Sequence, residues 1–467
     1  MRSPVRRAAL VLAGLAWAAC DPAGAGERRV PLAVPLFRSA GPALVARESA
    51  PDTGLSRFLG GLSDSTDRYF GIAAAAPDTA GQDSALAFGL AHPRRFDRRR
   101  ALRVGHRPDF AFNRADGPVW GGDIWIGEPR LWGRLGGEVG YAAGPNRWLG
   151  EGYYGYAMRR HDVWWSLRLG GGRTTAAMNR DHPDVRLATL RALYNGNDHK
   201  QYYRRDGVGV RLSREAVTWR AVLGYRDMLE SPLATTTTWN LRGHVPAVTS
   251  NLPAALGRMR ELELDAAWRT PLVPLTGEVE HQTSGSGIGS DFEYRRYRLV
   301  LSGDFGLGHM ASIVPQVTYG RLTGRAIPQS SFYLGGSSTL RSVPGDSRGG
   351  SGIALARLDV IGITDLLRLA HIPHPDAFPL QAGLFAGIGA VWGADPFGGP
   401  SRAGVDWPQG GDWASEAGAS LLYQPGIPDP TGFIRLNFAF PLGPDRENSR
   451  FTLSYSRALD LVRGFEH

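Results

Sequence analysis

Ile434-Arg435-Leu436-Asn437-Phe438-Ala439-Phe440 alternates large apolar side chains with Arg435, Asn437 and Ala439, and Phe451-Thr452-Leu453-Ser454-Tyr455-Ser456 repeats the pattern shortly afterwards. A period of two places one set of side chains on each face of an extended strand. Upstream segments read the same way. Leu262, Leu264, Ala266 and Trp268 alternate with Glu261, Glu263 and Asp265; Val217, Trp219, Ala221, Leu223 and Tyr225 alternate with Thr218, Arg220, Gly224 and Arg226. Each strand therefore has one apolar face and one polar or charged face.

A soluble sandwich would give the same alternation, so the links between strands decide more. Short links are expected at Gly127–Arg130, Arg159–Asp162, Ser213–Ala216, Arg269–Leu272 and Phe305–His309. Long links are expected at Thr174–His199, Asp227–Arg258, Ser284–Asp291, Ile327–Gly350 and Ala394–Asp412. Short turns at one end and long loops at the other characterise outer-membrane barrels. A first strand near Asp109–Asn113 brings the total to about sixteen, an even number as such barrels require. The link Thr364–Pro379 is long where a short turn is expected. The predicted fold is thus all-β, a transmembrane antiparallel β-barrel of about sixteen strands.

Composition agrees. The 467 residues include 62 Gly, 18 Phe, 15 Tyr and 13 Trp, a bias towards β structure. No stretch reaches the roughly 18 apolar residues of a membrane-spanning helix. The net charge of +9 is almost wholly arginine, Lys200 being the sole lysine, and no nucleic-acid-binding module accompanies it. Residues 1–25 read as a signal peptide: Arg2, Arg6 and Arg7, an apolar run from Ala8 to Ala19, and the small-residue site Ala23-Gly24-Ala25. Cys20, the only cysteine, offers lipoprotein processing as the rival reading. Residues 26–105, sparse in apolar pattern and ending in Arg94, Arg95, Arg98, Arg99 and Arg100, read as a poorly ordered periplasmic segment, with the barrel over 106–467.

The segment Phe332-Tyr333-Leu334-Gly335-Gly336-Ser337-Ser338-Thr339-Leu340-Arg341 resembles the loop motif of the Omp85/bacterial surface antigen superfamily, in which Gly-Gly-x-x-x-Leu-Arg precedes Gly and an aromatic. Ile353–Val360, Leu384–Trp392, Ala417–Tyr423, Gly432–Leu442 and Arg450–Ala458 are similar to that family's closing strands in order. The resemblance implies a long loop folded into the lumen, carrying Gly335, Gly336, Leu340 and Arg341, with the arginine paired to a carboxylate on the wall. Two positions depart from the pattern: Ser342 replaces the usual glycine, and Gly387 stands where aspartate is frequent. Asp359 and Glu416 are then the candidate partners of Arg341. The POTRA domains of many members do not fit the residues ahead of the barrel. By resemblance, the implied function is insertion or translocation of proteins or lipids at a Gram-negative outer membrane. The implied partners are outer-membrane lipid and client proteins, and no nucleic acid. The alternative is a passive, anion-favouring pore or structural surface antigen.

No catalytic residues, cofactor or metal are expected. Gly387-Ile388-Gly389 mimics a dinucleotide loop but lacks the helix that should follow. His371, His374 and Asp376 sit among prolines and read as a turn. Arg168, Arg211, Arg296 and Arg298 are expected inside the lumen, either attracting anions or cross-paired along the wall. Trp125, Trp148, Trp268 and Trp392 suit interfacial girdles.

Overall fold

In a computed structural model, the described residues are 104–457 apart from 129–132, 162, 180–191, 195–197, 217, 238, 242, 244–250, 271–272, 309, 374–378, 399–406, 424–431 and 444–448. The signal-peptide reading, Cys20, the segment up to residue 103, His374 and Asp376 lie outside them. Chain order gives β1 (Val104–Asn113), β2 (Gly117–Glu128), β3 (Gly133–Ala142), β4 (Arg147–Arg160), β5 (Val163–Ala177), β6 (Tyr202–Glu215) and β7 (Trp219–Pro232). β8 (Gly257–Arg269), β9 (Leu275–Ser284), β10 (Tyr294–Gly303), β11 (Phe305–Leu307), β12 (Ala311–Gly324), β13 (Phe332–Leu334) and β14 (Arg348–Gly350) follow. β15 (Gly352–Gly362), β16 (Leu380–Trp392), β17 (Trp413–Tyr423), β18 (Gly432–Leu442) and β19 (Arg450–Arg457) complete the set.

All but β13 and β14 belong to one seventeen-stranded antiparallel sheet in which each strand pairs with its neighbours in sequence. β11 continues β10 along the same partner, β12, so the seventeen segments make sixteen staves. Phe305 and Leu307, expected in a turn, instead extend the ladder, opposite Ile313 and Ala311. An even number of staves brings the start of β1 and the end of β19 to one end, the end of the short links. Two links at the opposite end are also tight, 114–116 and 143–146, so the alternation of lengths begins only after β4. The long link before β16 contains a helical turn, Leu366–Leu369, whose Asp365 side chain accepts from the Leu367 and Leu380 N–H groups at 3.0 and 3.1 Å. That carboxylate ties the start of the helix to the start of β16.

The faces are inverted relative to a soluble protein. Glu261 and Asn437 are fully buried, whereas Leu264, Leu384 and Phe451 on the opposite faces are 50%, 64% and 68% exposed. Strands mostly 10–15 residues long can cross a hydrocarbon layer when tilted. Turning the apolar face outward is stable only against lipid, and a sheet in lipid has to satisfy its backbone groups within itself. The sheet curls: the Asn179 amide, just past β5, donates to Asp346 in the loop ahead of β15, and Gln329 of that loop exchanges hydrogen bonds with the Ala255 backbone before β8. Partners so far apart in strand order meet only across an interior. Among the described residues no ladder joins β1 to β19. No described helix is long and apolar enough to cross a membrane.

Candidate functional site: the inward loop and its anchor

The link between β12 and β15 folds into the lumen. β13 and β14 form its small hairpin, Phe332 opposite Gly350 and Leu334 opposite Arg348. Ile327, Phe332, Leu334, Leu340 and Val343 pack against Met259, Tyr294, Leu322, Ile353 and Leu355 of the wall, and Tyr333 joins a second apolar cluster with Met178, Tyr203 and Ala254. Burial of this kind stabilises by roughly 25 cal/mol per Å² and favours the docked loop.

The glycines make the reversal at the tip. Gly335 and Gly336 have φ of 121° and 92°, and a Cβ on Gly335 would lie 1.8 Å from the Pro344 carbonyl oxygen. The Gly336 N–H donates to the Leu340 and Val343 carbonyls, both at 3.0 Å, and the Gly335 N–H donates to the Thr339 hydroxyl at 2.7 Å. Closing this knot sends Leu340 and Arg341 towards β15–β17.

Arg341, 2% exposed, donates from Nη2 to Asp359 Oδ1 at 2.7 Å, with its guanidinium 4.0 Å from the centroid of the Phe385 ring. Asp359 also takes Arg435 at 2.9 Å and Arg357 at 3.6 Å. Arg357 in turn donates to the Ser338 carbonyl at 2.6 Å, a second tie between wall and loop. Glu416 accepts from the Ser342 backbone N–H at 2.6 Å. The two candidate carboxylates thus divide the work: Asp359 meets the Arg341 side chain, Glu416 the backbone beside it. Buried charges of this kind persist only where geometry and hydrogen bonds offset desolvation. Gly387 has a structural reason: a Cβ there would lie 2.9 Å from Leu340 Cδ2 and 3.5 Å from Glu416. The space an aspartate would need is filled by Leu340.

Arg357, Arg435 and Phe385 complete the anchor and were not singled out from sequence. Their signal was present, since Arg357 and Asp359 share a face at spacing two and Arg435 opens the alternating run that fixed the inward face of β18.

The rest of the wall is cross-paired. Arg168 meets Glu151 at 3.3 Å, Arg211 meets Glu263 at 2.7 Å, Arg296 meets Glu280 at 2.6 Å and Arg298 meets the same Glu280 at 3.1 Å. Of the expected girdle residues, Trp148 and Trp268 are outward and exposed. Trp125 instead faces inward under the Arg134 guanidinium, 5.0 Å away; Trp392 keeps the outward side of β16, in one row with Gly352 and Arg321, and is covered there by Tyr319 and Trp407. Gly387-Ile388-Gly389 lies within β16, and His371 follows the helical turn after Asp365.

An antiparallel meander with a charged interior and an apolar exterior is the fold of an outer-membrane β-barrel. No family model matches the chain, and no curated protein matches it. Among solved structures it is similar to BamA from Haemophilus ducreyi lacking POTRA domains 1–3, at 14% identity and TM-score 0.46 over 76% of this chain and 69% of that one. It is also similar to CdiB from Acinetobacter baumannii (11%, TM-score 0.41, 76% of this chain and 65% of that one) and to OccK10 from Pseudomonas aeruginosa (14%, TM-score 0.30, 75% and 94%). The chain spans a little under two thirds of that CdiB. These similarities describe the fold alone.

Proposed function

We propose that the chain is an Omp85-type barrel of a Gram-negative outer membrane that inserts or translocates protein, or lipid, across or into that membrane. The observation that supports it is the loop knot at Gly335 and Gly336, with Leu340 packed over Gly387 and Arg341 tied to Asp359. A loop fixed inside the lumen leaves little room for a wide passive channel and keeps the wall rigid behind β15–β18. The moving part is then the seam between β1 and β19. Exposed backbone N–H and C=O groups along such edges template an added strand from a client. No catalytic group is assigned. The paired arginines of the wall disfavour the anion-attracting alternative, because each guanidinium already has a carboxylate.

Cysteine pairs placed along β1 and β19 test the proposal. Oxidation is expected to abolish client assembly and reduction to restore it. Full activity in the locked form would refute it, and steady pore conductance with an unchanged outer-membrane protein content on deletion would point to a passive pore.

A further inference from the structure

The outer surface at the long-loop end is not uniform. Over β5–β8 its arginines are neutralised: Arg173 by Asp206 at 2.6 Å, and Arg258 and Arg260 by Asp227 at 2.7 and 3.1 Å. Over β9, β10 and β12 the outward side chains form two rows fixed by the ladder. Thr283, Arg295 and Thr323 lie side by side, and one step down lie His281, Tyr297 and Arg321. Arg295 is exposed, and among the described residues it has no ion-pair or hydrogen-bond partner for its guanidinium. Arg321 is its diagonal neighbour across the ladder, a separation of about 7–8 Å at the backbone that two long side chains bridge readily. Exposed Arg325 stands just beyond the end of β12, its backbone N–H donating to the carbonyl of exposed Glu293 across the lip. A depression of about 430 Å³ opens there, lined by Thr283, Arg295, Thr323, Glu293 and the link 285–288, with Arg321 one row below it. Beneath it the outward face changes character: His281 stacks on Tyr297 at 4.5 Å, and the next row is Val279, Leu299 and Tyr319.

From this arrangement we infer that the β9–β10–β12 rim is a binding site for the phosphate-bearing headgroup of an outer-leaflet lipid. Guanidinium forks match phosphate oxygens bidentately, and Thr283 and Thr323 offer hydroxyl donors on either side of Arg295. Tyr297 sits at the level where amphipathic rings meet headgroups. The apolar row below gives acyl chains a wall to lie on, which a soluble anion would not use; that selects a lipid over free phosphate. The inference rests on the reading above only for the direction of the barrel, with the long loops outward.

Native mass spectrometry of the detergent-solubilised full chain, titrated with phosphatidic acid, reads the site without any client assay. Arg295→Gln with Arg321→Gln is expected to weaken retention by about ten-fold or more, Arg295→Lys to weaken it less, and Arg173→Gln at the neutralised rim to leave it unchanged. Heat-shifted gel mobility checks that each variant is folded; if the double variant is not, Arg295→Lys against Arg173→Gln carries the comparison. Unaltered retention in the Arg295 variants overturns the site. An equal loss with Arg173→Gln makes the binding unspecific and also overturns it. Displacement by inorganic phosphate at matching concentration reassigns the rim to a soluble anion. Failure of the locked-seam experiment would leave all of these results standing.

Discussion

Three guanidiniums converge on Asp359, so the two ends of its pair with Arg341 are not equivalent. Replacing Arg341 by Ala leaves the carboxylate with Arg357 and Arg435, and the loss is that of a charged hydrogen bond and a ring contact, about 1.5–3 kcal/mol. Replacing Asp359 by Asn leaves three buried cations without their shared anion and is expected to cost about 3–5 kcal/mol. Urea unfolding in detergent checks the order; an Arg341→Ala loss larger than that of Asp359→Asn would contradict it. Much of this anchor was legible from sequence, because Gly-Gly and Leu-Arg have fixed spacing and period two puts Asp359 and Glu416 on the inner face. What sequence could not give was the sharing. Which of several inward arginines reaches a carboxylate depends on strand stagger, and stagger is set by the whole ladder.

The loop and the wall act as separate elements with separate consequences. The loop fills the lumen through apolar packing of Phe332, Leu334 and Leu340, so shortening it between Gly336 and Asp346 is expected to raise conductance in planar bilayers several-fold; unchanged conductance would mean that the loop does not occlude the lumen. In that shortened background, Glu280→Gln leaves Arg296 and Arg298 without Glu280 and is expected to shift the reversal potential towards anion preference. The strands themselves were readable because alternation needs no knowledge of neighbours. Trp125 departs from the girdle expectation for the converse reason. A tryptophan near a strand end looks the same in sequence whether it faces outward, as Trp148 does, or lies inward under Arg134. The parity of one residue decides between the two, and at Trp392, which does face outward, a distant loop decides how far the ring is covered.

At the scale of the whole molecule, the even number of staves puts both ends of the barrel with the short links, and the proposed function turns the long links outward. A cysteine at Ser286, in the link between β9 and β10, is expected to react with a membrane-impermeant thiol reagent in intact cells. A cysteine at Met310, in the short link before β12 and 76% exposed, should react only after the outer membrane is permeabilised. The reverse pattern would invert the barrel and remove the outer-leaflet site with it.

The central claim is that an apolar outer face meets lipid while the charged inner face does not. It is tested most directly by a fluorophore attached at successive positions of β8, from Glu261 to Ala266, in vesicles with brominated acyl chains. Quenching at 262, 264 and 266 with little at 261, 263 and 265 is the expected result. Uniform protection from quenching at all six positions, with the detergent-free protein running as a water-soluble monomer, would contradict it.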